Sequence, residues 1–389
     1  MSQQPTYKRL KQVIFFAVIA LLCIPMIQHK FRFFEEKPLN GSFELSSKPE
    51  LTKESWFSGK YQEGQDKYIA DHTGFRPGWV RLYNQWNYSL FNIAHASGVI
   101  RGKEDYLYEE SYINAYYGTD FLGDERIKGI TKEWKAVQDT LKQKGIDLVV
   151  ILAPGKASFY PEYIPDSYKK ARNGKTNYEV FKKQFLKQAV SHIDMHSWFE
   201  SMKKGSKYPL FSKTGIHWSA YGQFLAVDSL TKFVSERCKT QIPYYVLDTI
   251  IESDEPKRGD DDIGSGMNLL LGVPELTLAY PEFHPNRKPK KNDPKVLVIA
   301  DSFYWALFNS NVSNFLFNGG EFWYYNEQIY PASYTKETLV RNQPLDQKLK
   351  ENKVVFLLIT DANLHKFSFG FLQMAAKEYG IGANTQSKK

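Results

Sequence analysis

Two short segments carry residues suited to nucleophilic chemistry, and the first is Asp301-Ser302-Phe303. It follows Val296–Ala300, a continuous apolar run typical of a strand buried on both faces. A serine at a strand-to-helix turn presents its hydroxyl beyond the carboxyl end of the strand, where reactive groups gather in open α/β sheets. Free backbone N–H groups at the helix start can stabilise an oxyanion. Ser302 is therefore a candidate nucleophile, and the alternative is that it only caps the helix beginning near Phe303.

The second segment, Gly215–Ser219, reads Gly-Ile-His-Trp-Ser and opens a helical pattern. A histidine held beside a helix start can act as a general base for a serine hydroxyl. His217 is therefore a candidate base for Ser302. The alternative is a half-buried histidine that only bonds the backbone.

Together these segments resemble motifs of the SGNH hydrolase-like proteins of the AlgJ/AlgX type, which O-acetylate polysaccharides. Asp301-Ser302-Phe303 is similar to the GDS block, with Ala300 in place of glycine, and Thr214–Trp218 is similar to an Asp-x-His-Trp motif. Four weaker similarities occur in the family's order, at Asp71–Arg76, Gly102–Tyr108, Ala153–Lys156 and Thr360–Leu364. The resemblance implies that Ser302 and His217 are catalytic.

One departure from the family concerns the acid of the triad. The family has an aspartate two residues before the histidine, and this chain has Gly215 there. A carboxylate normally orients the imidazole and stabilises the imidazolium. Three alternatives follow: another acid, Asp361 or Asp262, takes the role; a backbone carbonyl or the hydroxyl of Thr214 or Ser212 orients the ring; or the site is inactive.

Other residues are candidates for binding roles. The resemblance implies an oxyanion role for Asn363, which could otherwise be an ordinary turn residue. Lys156 could bind an anionic substrate or be an exposed loop lysine, and Trp323 and Tyr325 could line a sugar groove or belong to the core. The run Asp260–Asp262 could bind a divalent cation, but a solvated acidic loop is the preferred interpretation. No metal or cofactor is predicted.

The elements that must position these residues alternate along the chain. Apolar runs predict strands over Ile146–Ala153, Ile193–Met195, Val296–Ala300 and Val354–Thr360. Apolar periodicity and end signals predict helices over Trp56–Ile69, Pro77–Phe91, Ile127–Leu141 (ended by Gly145), Tyr178–Val190 and Ala220–Glu236 (capped by Ser219). This alternation predicts an α/β three-layer sandwich around a mostly parallel sheet.

An N-terminal transmembrane helix is predicted to precede this fold. The uncharged apolar run Val13–Ile27 follows three basic residues in positions 8–11. It is shorter than the roughly 17–25 residues of a spanning helix, but Gln28 and His29 can extend it. No small-x-small cleavage site follows, which favours an uncleaved signal anchor. The predicted organisation is a cytoplasmic N-terminus and anchor over 1–30, a linker over 31–54 and an SGNH-like domain over 55–389.

Composition narrows the class of function. The 389 residues carry a formal net charge of +8, which suits anionic partners, but a solvated basic surface is the preferred interpretation. The aromatic content of 15% suits stacking on glycans, and no nucleic-acid-binding module is recognisable. Cys23 and Cys238 predict no intrachain disulfide, and their spacing excludes a Cys-based zinc site.

The predicted activity is acetyl transfer through Ser302 to a polysaccharide in the bacterial periplasm, from a protein with a single pass through the inner membrane. The resemblance implies a membrane-bound acyltransferase as acetyl supplier. Two alternatives remain: a carbohydrate acetyl esterase that uses the same serine and histidine, and a non-catalytic glycan-binding or scaffold protein of the envelope.

Overall fold

The computed structural model describes residues 5–41, 44–169 and 174–381. The chain divides into two compact units: unit 1 is Met1–Ser97 with Gly264–Val273, and unit 2 is Gly98–Ile263 with Pro274–Lys389. Part of the predicted cytoplasmic N-terminus, residues 1–4, lies outside the described residues. The predicted domain limits stay a prediction.

The described residues form fifteen α-helices. They are α1 (Pro5–Phe31), α2 (Lys53–Phe57), α3 (Lys60–His72), α4 (Arg76–Phe91), α5 (Glu110–Tyr117), α6 (Asp124–Gln143), α7 (Lys156–Phe159), α8 (Asn177–Lys187), α9 (Met195–Met202), α10 (Ala220–Cys238), α11 (Asp262–Gly266), α12 (Trp305–Asn309), α13 (Val312–Phe315), α14 (Leu345–Lys350) and α15 (Phe371–Glu378).

Ten strands accompany them in the described residues. They are β1 (Val99–Arg101), β2 (Leu107–Glu109), β3 (Asp147–Ala153), β4 (His192–Asp194), β5 (Tyr245–Ser253), β6 (Leu278–Pro285), β7 (Val296–Ala300), β8 (Phe322–Tyr324), β9 (Gln328–Tyr330) and β10 (Val354–Thr360). Short 3₁₀ helices cover Lys103–Asp105, Pro161–Tyr163, Asp166–Tyr168, Ser302–Tyr304, Ala332–Tyr334, Val340–Asn342 and Asp361–Gly370.

In unit 1, α1 is longer than the apolar run that predicts it. Its segment Tyr7–Phe31 has 25 residues, and an 18-residue window within it has a mean hydropathy of 2.4 and no buried residue. At 1.5 Å per residue this segment is about 37 Å long, enough for a bilayer core. Length and composition therefore allow α1 to cross a membrane, although a signal sequence has the same properties.

The single helix predicted over Trp56–Ile69 is wrong in one respect, because two helices, α2 and α3, occupy this stretch. Gly59 lies between them with a φ of +80°, a left-handed conformation that glycine adopts without steric cost and that interrupts an α-helix. Helix α4 agrees with its prediction to within one residue at its start.

In unit 2, a six-stranded sheet has the order β4-β3-β10-β7-β8-β9. Neighbouring strands are parallel from β4 to β8, and β9 alone is antiparallel to its neighbour. The four predicted strands are all present in it, with ends that agree within one residue. This sheet confirms the predicted α/β class.

Helices cover both faces of this sheet. On one face, α6, α8 and α15 pack through a buried cluster that includes Trp134 and alternate residues of β3 and β10, such as Val150 and Leu357. On the other face, Phe233 of α10 contacts Phe356 of β10 at a centroid distance of 6.2 Å. Side chains alternate between faces along a strand, so these two contacts define a sandwich of three layers.

The strand register determines where the site residues lie. Thr360 of β10 pairs with Ala153 of β3, and Leu358 of β10 pairs with Ala300 of β7. The carboxyl ends of these three parallel strands therefore share one edge of the sheet. The segments that follow them carry Lys156, Ser302 and Asp361 to that edge.

Candidate active site

Ser302 opens the 3₁₀ helix Ser302–Tyr304, immediately beyond the end of β7. The cap of this helix is the preceding Asp301, whose side chain accepts a hydrogen bond from the N–H of Phe303 at 3.1 Å. Its other carboxylate oxygen accepts from the backbone and hydroxyl of Thr360 and from the Asn363 amide, at 2.8–2.9 Å. Asp301, which is fully buried, thus fixes the serine turn to the end of β10 and leaves the Ser302 hydroxyl available for chemistry.

His217 reaches this hydroxyl from a segment 85 positions earlier in the chain. Its Nε2 lies 2.8 Å from Ser302 Oγ. The segment is held by a β-bridge between Phe211 and Trp218, and the histidine ring packs edge-on against Phe303 with centroids 4.8 Å apart. The two segments therefore converge as acyl transfer requires.

Asp262 supplies the carboxylate on the far side of the imidazole. Its Oδ2 forms a short hydrogen bond with His217 Nδ1. Its Oδ1 accepts from the backbone N–H groups of Ile216 and Ile263, each at 2.9 Å. Ser302, His217 and Asp262 therefore form the serine–histidine–carboxylate arrangement of a catalytic triad.

Asp361, the other acid considered from sequence, lies elsewhere. Its carboxylate accepts a short hydrogen bond from Ser158 and lies 3.4 Å from His196 Nε2. The side chain is almost fully buried, and its contacts do not include His217. The structure thus places Asp262, rather than Asp361, at the imidazole.

Gly215 shows why the family's aspartate position cannot be used here. A Cβ at this residue would lie 2.5 Å from the carbonyl oxygen of Asp260 and 2.7 Å from Ser212 Oγ. The segment that carries Asp262 occupies this space, because Ser212 Oγ also donates to the Asp260 carbonyl. The absence of the family's aspartate at position 215 and the position of Asp262 beside His217 therefore both follow from the packing of these two segments.

This packing predicts that Gly215→Ala destabilises the protein and lowers its activity. The added methyl has to displace backbone atoms, and overpacking of this kind costs about 1–3 kcal/mol in the free energy of unfolding. Denaturant unfolding measures the loss. The matched control is Gly205→Ala, since a Cβ there meets nothing within 4 Å. Equal stability of the two variants would contradict the account.

The charge of Asp262 also determines the protonation of His217. Burial alone would lower the pKa of His217, but the hydrogen bond and negative charge of Asp262 outweigh burial and raise that pKa above its ordinary value of 6.5. Burial would likewise raise the pKa of Asp262, yet its bonds to His217 and the Ile216 N–H lower it overall. The carboxylate is therefore ionised where the histidine titrates.

A pH profile tests this coupling. Below its pKa His217 carries a proton and cannot accept the one on Ser302, so kcat/KM for an acetyl ester should fall as the pH drops through that pKa. We expect the midpoint of this acid limb above 6.5, because the histidine pKa is raised. A midpoint at or below 6.5 would show that Asp262 does not act on His217.

Lys156 has a position that neither sequence interpretation anticipated. It is fully buried, so it is neither an exposed loop lysine nor a contact for a substrate. Its Nζ donates to the backbone carbonyls of Lys213 and Gly215 at 2.6 and 2.7 Å. Burial lowers its pKa to about 7, opposed by Glu275 and Asp262. Lys156 thus holds the backbone of the segment that carries His217.

The predicted oxyanion and groove residues separate into different environments. The Asn363 amide nitrogen donates to Asp301 at 2.9 Å and to Thr360 Oγ1 at 3.1 Å, so it supports the serine turn. Trp323 is fully buried and its indole N–H donates to Glu321, so of its two alternatives it belongs to the core and not to a groove.

Tyr325 is half-buried, and the chain at this point is fixed by a 2.8 Å hydrogen bond from its N–H to the carbonyl of Ala300. Burial and the charge of Asp301 raise the pKa of its phenol to about 12, against hydrogen bonding with Ser302 and Asn363. The phenol is therefore protonated at neutral pH. It lies within hydrogen-bonding reach of Ser302 and Asn363.

The acidic run Asp260–Asp262 is solvated only in part, since Asp261 and Asp262 reach solvent and Asp260 does not. Asp260 is buried, its carboxylate accepts from the N–H of Ala220, and burial raises its pKa to about 7. Among the described residues, no group of three or more potential ligands could hold a metal ion.

A cavity of about 660 Å³ opens beside Ser302 and His217. Its walls include four aromatic side chains from separate elements: Phe224, Tyr245, Phe283 and Trp305. Arg258 and Glu282 form an ion pair at its edge. These residues were missed from sequence because they are scattered over some eighty positions, with only the high aromatic content as a signal.

Comparisons with known proteins show which proteins this chain is similar to. A family model described as "SGNH hydrolase-like domain, acetyltransferase AlgX" matches residues 99–260, a range that includes His217 and ends before Asp262 and Ser302. The probable alginate O-acetylase AlgJ of Pseudomonas fluorescens is 24% identical over 203 residues, which are 52% of this chain and 50% of the relative. That of Pseudomonas putida is 27% identical over 203 residues, or 52% and 51%. The chain thus spans about half the length of these curated relatives.

Two solved structures are also similar. The O-acetyltransferase domain of Pseudomonas putida AlgJ has 18% identity and a TM-score of 0.47, covering 72% of this chain and 99% of that domain. Pseudomonas aeruginosa AlgX has 14% identity and a TM-score of 0.43, covering 74% of this chain and 69% of that one.

Proposed function

Because this chain is an SGNH hydrolase-like protein of the AlgJ/AlgX type, we propose that it is a polysaccharide O-acetyltransferase that works through an acetyl-serine at Ser302. The observation that carries the proposal is the continuous chain of contacts from Ser302 Oγ through the His217 ring to the Asp262 carboxylate. Such a chain activates a hydroxyl that is otherwise a weak nucleophile.

In the first half-reaction, Ser302 Oγ attacks the carbonyl carbon of a donor's acetyl group. His217 Nε2 accepts the hydroxyl proton as the new bond forms, and Asp262 stabilises the resulting imidazolium. The tetrahedral intermediate then expels the donor's leaving group, which takes the proton from His217. The product is acetyl-Ser302.

The phenol of Tyr325 is the donor that we assign to the oxyanion. The nearby N–H groups of Phe303 and Tyr304 already donate to Asp301, and the Asn363 amide donates to Asp301 and Thr360. Tyr325 keeps its proton at neutral pH, because its pKa is about 12. A donor aimed at the developing charge stabilises the transition state more than the ground state.

In the second half-reaction, a sugar hydroxyl attacks acetyl-Ser302 with His217 again as the base. The acetyl group moves to the sugar oxygen, and Ser302 Oγ recovers its proton from His217. The aromatic walls of the cavity suit the apolar faces of sugar rings, and the Arg258–Glu282 pair offers donors and acceptors for hydroxyls. Both features support a glycan acceptor.

The proposal also includes the cellular location of the protein and its source of acetyl groups. Helix α1 serves as a single-pass anchor in the bacterial inner membrane, with unit 2 in the periplasm. A membrane-bound acyltransferase supplies the acetyl group. The length and composition of α1 support the anchor. The similarity to alginate O-acetylases supports an extracytoplasmic function.

Water is the competing acceptor, because Ser302 is only half-buried and its cavity is open to solvent. The discriminating experiment incubates the purified chain with a chromogenic acetyl ester, with and without oligosaccharide. We expect acetylated oligosaccharide and faster turnover when the sugar is present. Acetate release that the sugar does not change, with no acetylated sugar, would favour the esterase. The main argument for the scaffold alternative was the missing acid at Gly215, and the contact of Asp262 with His217 supports the transferase instead.

A further inference from the structure

Helix α4 of unit 1 carries a row of large apolar side chains that face solvent. Trp79, Tyr83, Trp86 and Leu90 are spaced by four, three and four residues, so they lie along one face of the helix. Each is between 56% and 60% exposed. We call these four residues the aromatic row. Two tryptophans and a tyrosine in one exposed row are unusual on a surface that meets only water.

The opposite face of α4 is packed. Its buried residues are Asn84 and Tyr88, and the Asn84 amide donates to the carbonyl of Met267 at 2.9 Å. At about 100° per residue, the aromatic row points away from these two residues. The helix is therefore fixed to the rest of unit 1 on one side and mostly exposed on the other, where Tyr83 contacts His95 at a centroid distance of 5.1 Å.

The start of α4 lies against the end of α1. A Cβ at Gly74 would collide with the carbonyl oxygen of Pro25 and would lie 2.7 Å from Gln28 Cβ, so the backbone at Gly74 touches the last turns of α1. The ring of Phe75 lies 6.0 Å from that of Phe34. Helix α4 begins at Arg76, two residues after Gly74. The aromatic row therefore starts next to the point where α1 would leave a membrane.

The end of α1 has the residue types of a membrane–water interface. His29 and Lys30 are basic residues in its last turn, and the exposed aromatic side chains Phe31 and Phe33 follow. Aromatic rings gather at the headgroup level of bilayers, and basic side chains there meet lipid phosphates. The aromatic row continues this surface along α4, which is about 24 Å long.

We propose that α4 lies in the headgroup region of the membrane that α1 crosses, with the aromatic row inserted among the lipids. The proposal rests on the anchor role proposed for α1. Lipid is the occupant that fits, because the row is continuous with a helix suited to a bilayer and combines tryptophan and tyrosine as interfacial helices do. Two helices, α1 and α4, then bind unit 1 to the membrane.

The test uses the full chain reconstituted in vesicles of phosphatidylethanolamine and phosphatidylglycerol, with and without bromine on the acyl chains. Bromine quenches tryptophan fluorescence only at short range. We expect quenching in the wild-type chain and loss of most of it in the double variant Trp79→Phe, Trp86→Phe. Phenylalanine keeps the row apolar, so α4 can still insert while its two reporters are gone. The control Trp134→Phe removes a fully buried tryptophan and should leave the quenching in place.

Flotation of the same vesicles tests the anchor role of α1 independently of the insertion of the aromatic row. Two results would overturn the proposal and leave α1 as the anchor. In one, the wild-type chain floats with the lipid but shows no bromine quenching. In the other, the double variant keeps all of the quenching. Flotation without quenching would point to a protein partner on α4. A chain that fails to float overturns the anchor and the proposal together.

Discussion

Ser302→Ala is expected to lower acetyl transfer by about 10³-fold or more, because the variant lacks the atom that carries the acetyl group. The Ser302 hydroxyl contacts His217 Nε2 at 2.8 Å, and alanine leaves that nitrogen without a proton to accept. The side chain is half-buried at the edge of the cavity, so its loss should hardly change the free energy of unfolding. The measurement is kcat/KM for an acetyl ester, together with acetylation of the polymer in cells.

The matched control is Ser201→Ala. This serine is exposed at the end of α9, and its hydroxyl donates to the carbonyl of Trp198. Activity should remain at the wild-type level in this variant. If Ser302→Ala retained full polymer acetylation in cells, the protein would be a scaffold rather than the transferase.

Asp262→Asn is expected to lower kcat by up to about 10⁴-fold, the size of effect seen when the acid of a working triad is replaced by its amide. Asparagine has nearly the same shape, so the segment that packs on Gly215 should stay in place. The amide removes the negative charge that stabilises the imidazolium and raises the pKa of His217. A KM close to the wild-type value together with a reduced kcat would indicate that the loss falls on the chemical step.

Asp248→Asn is a closely matched control. Asp248 Oδ2 also contacts a histidine Nδ1, that of His284, at 2.9 Å. This pair is about half exposed, lies on the ribbon formed by β5 and β6, and does not line the cavity at Ser302. Equal activity of the two asparagine variants would mean that Asp262 is not part of the machinery.

The sheet and the nucleophile could be predicted from the sequence because their signals are local. A strand buried on both faces is a continuous apolar run, and β7 and β10 agree with their predicted limits to the residue. Ser302 and His217 are marked by their immediate neighbours. Their contact is not a local signal, because His217 lies in the segment between α9 and α10 and reaches Ser302 from there.

The acid and the supporting residues depend on contacts between distant segments. Nothing near Asp262 or Asp361 in sequence decides which one reaches His217, because the choice depends on how the chain around Asp260 packs on Ser212 and Gly215. The burial of Lys156 could not be predicted from the sequence either, because a single lysine forms no pattern. Its place follows from two backbone carbonyls more than fifty positions away.

The most direct test of the account is to find where the acetyl group rests during turnover. The purified chain is mixed with an acetyl ester, quenched in acid and mapped by peptide mass spectrometry. We predict one acetyl group on Ser302, which disappears when oligosaccharide is added and is not formed by Ser302→Ala. Transfer to the sugar with no acetyl on Ser302, or with the acetyl on another residue, would contradict the proposed mechanism.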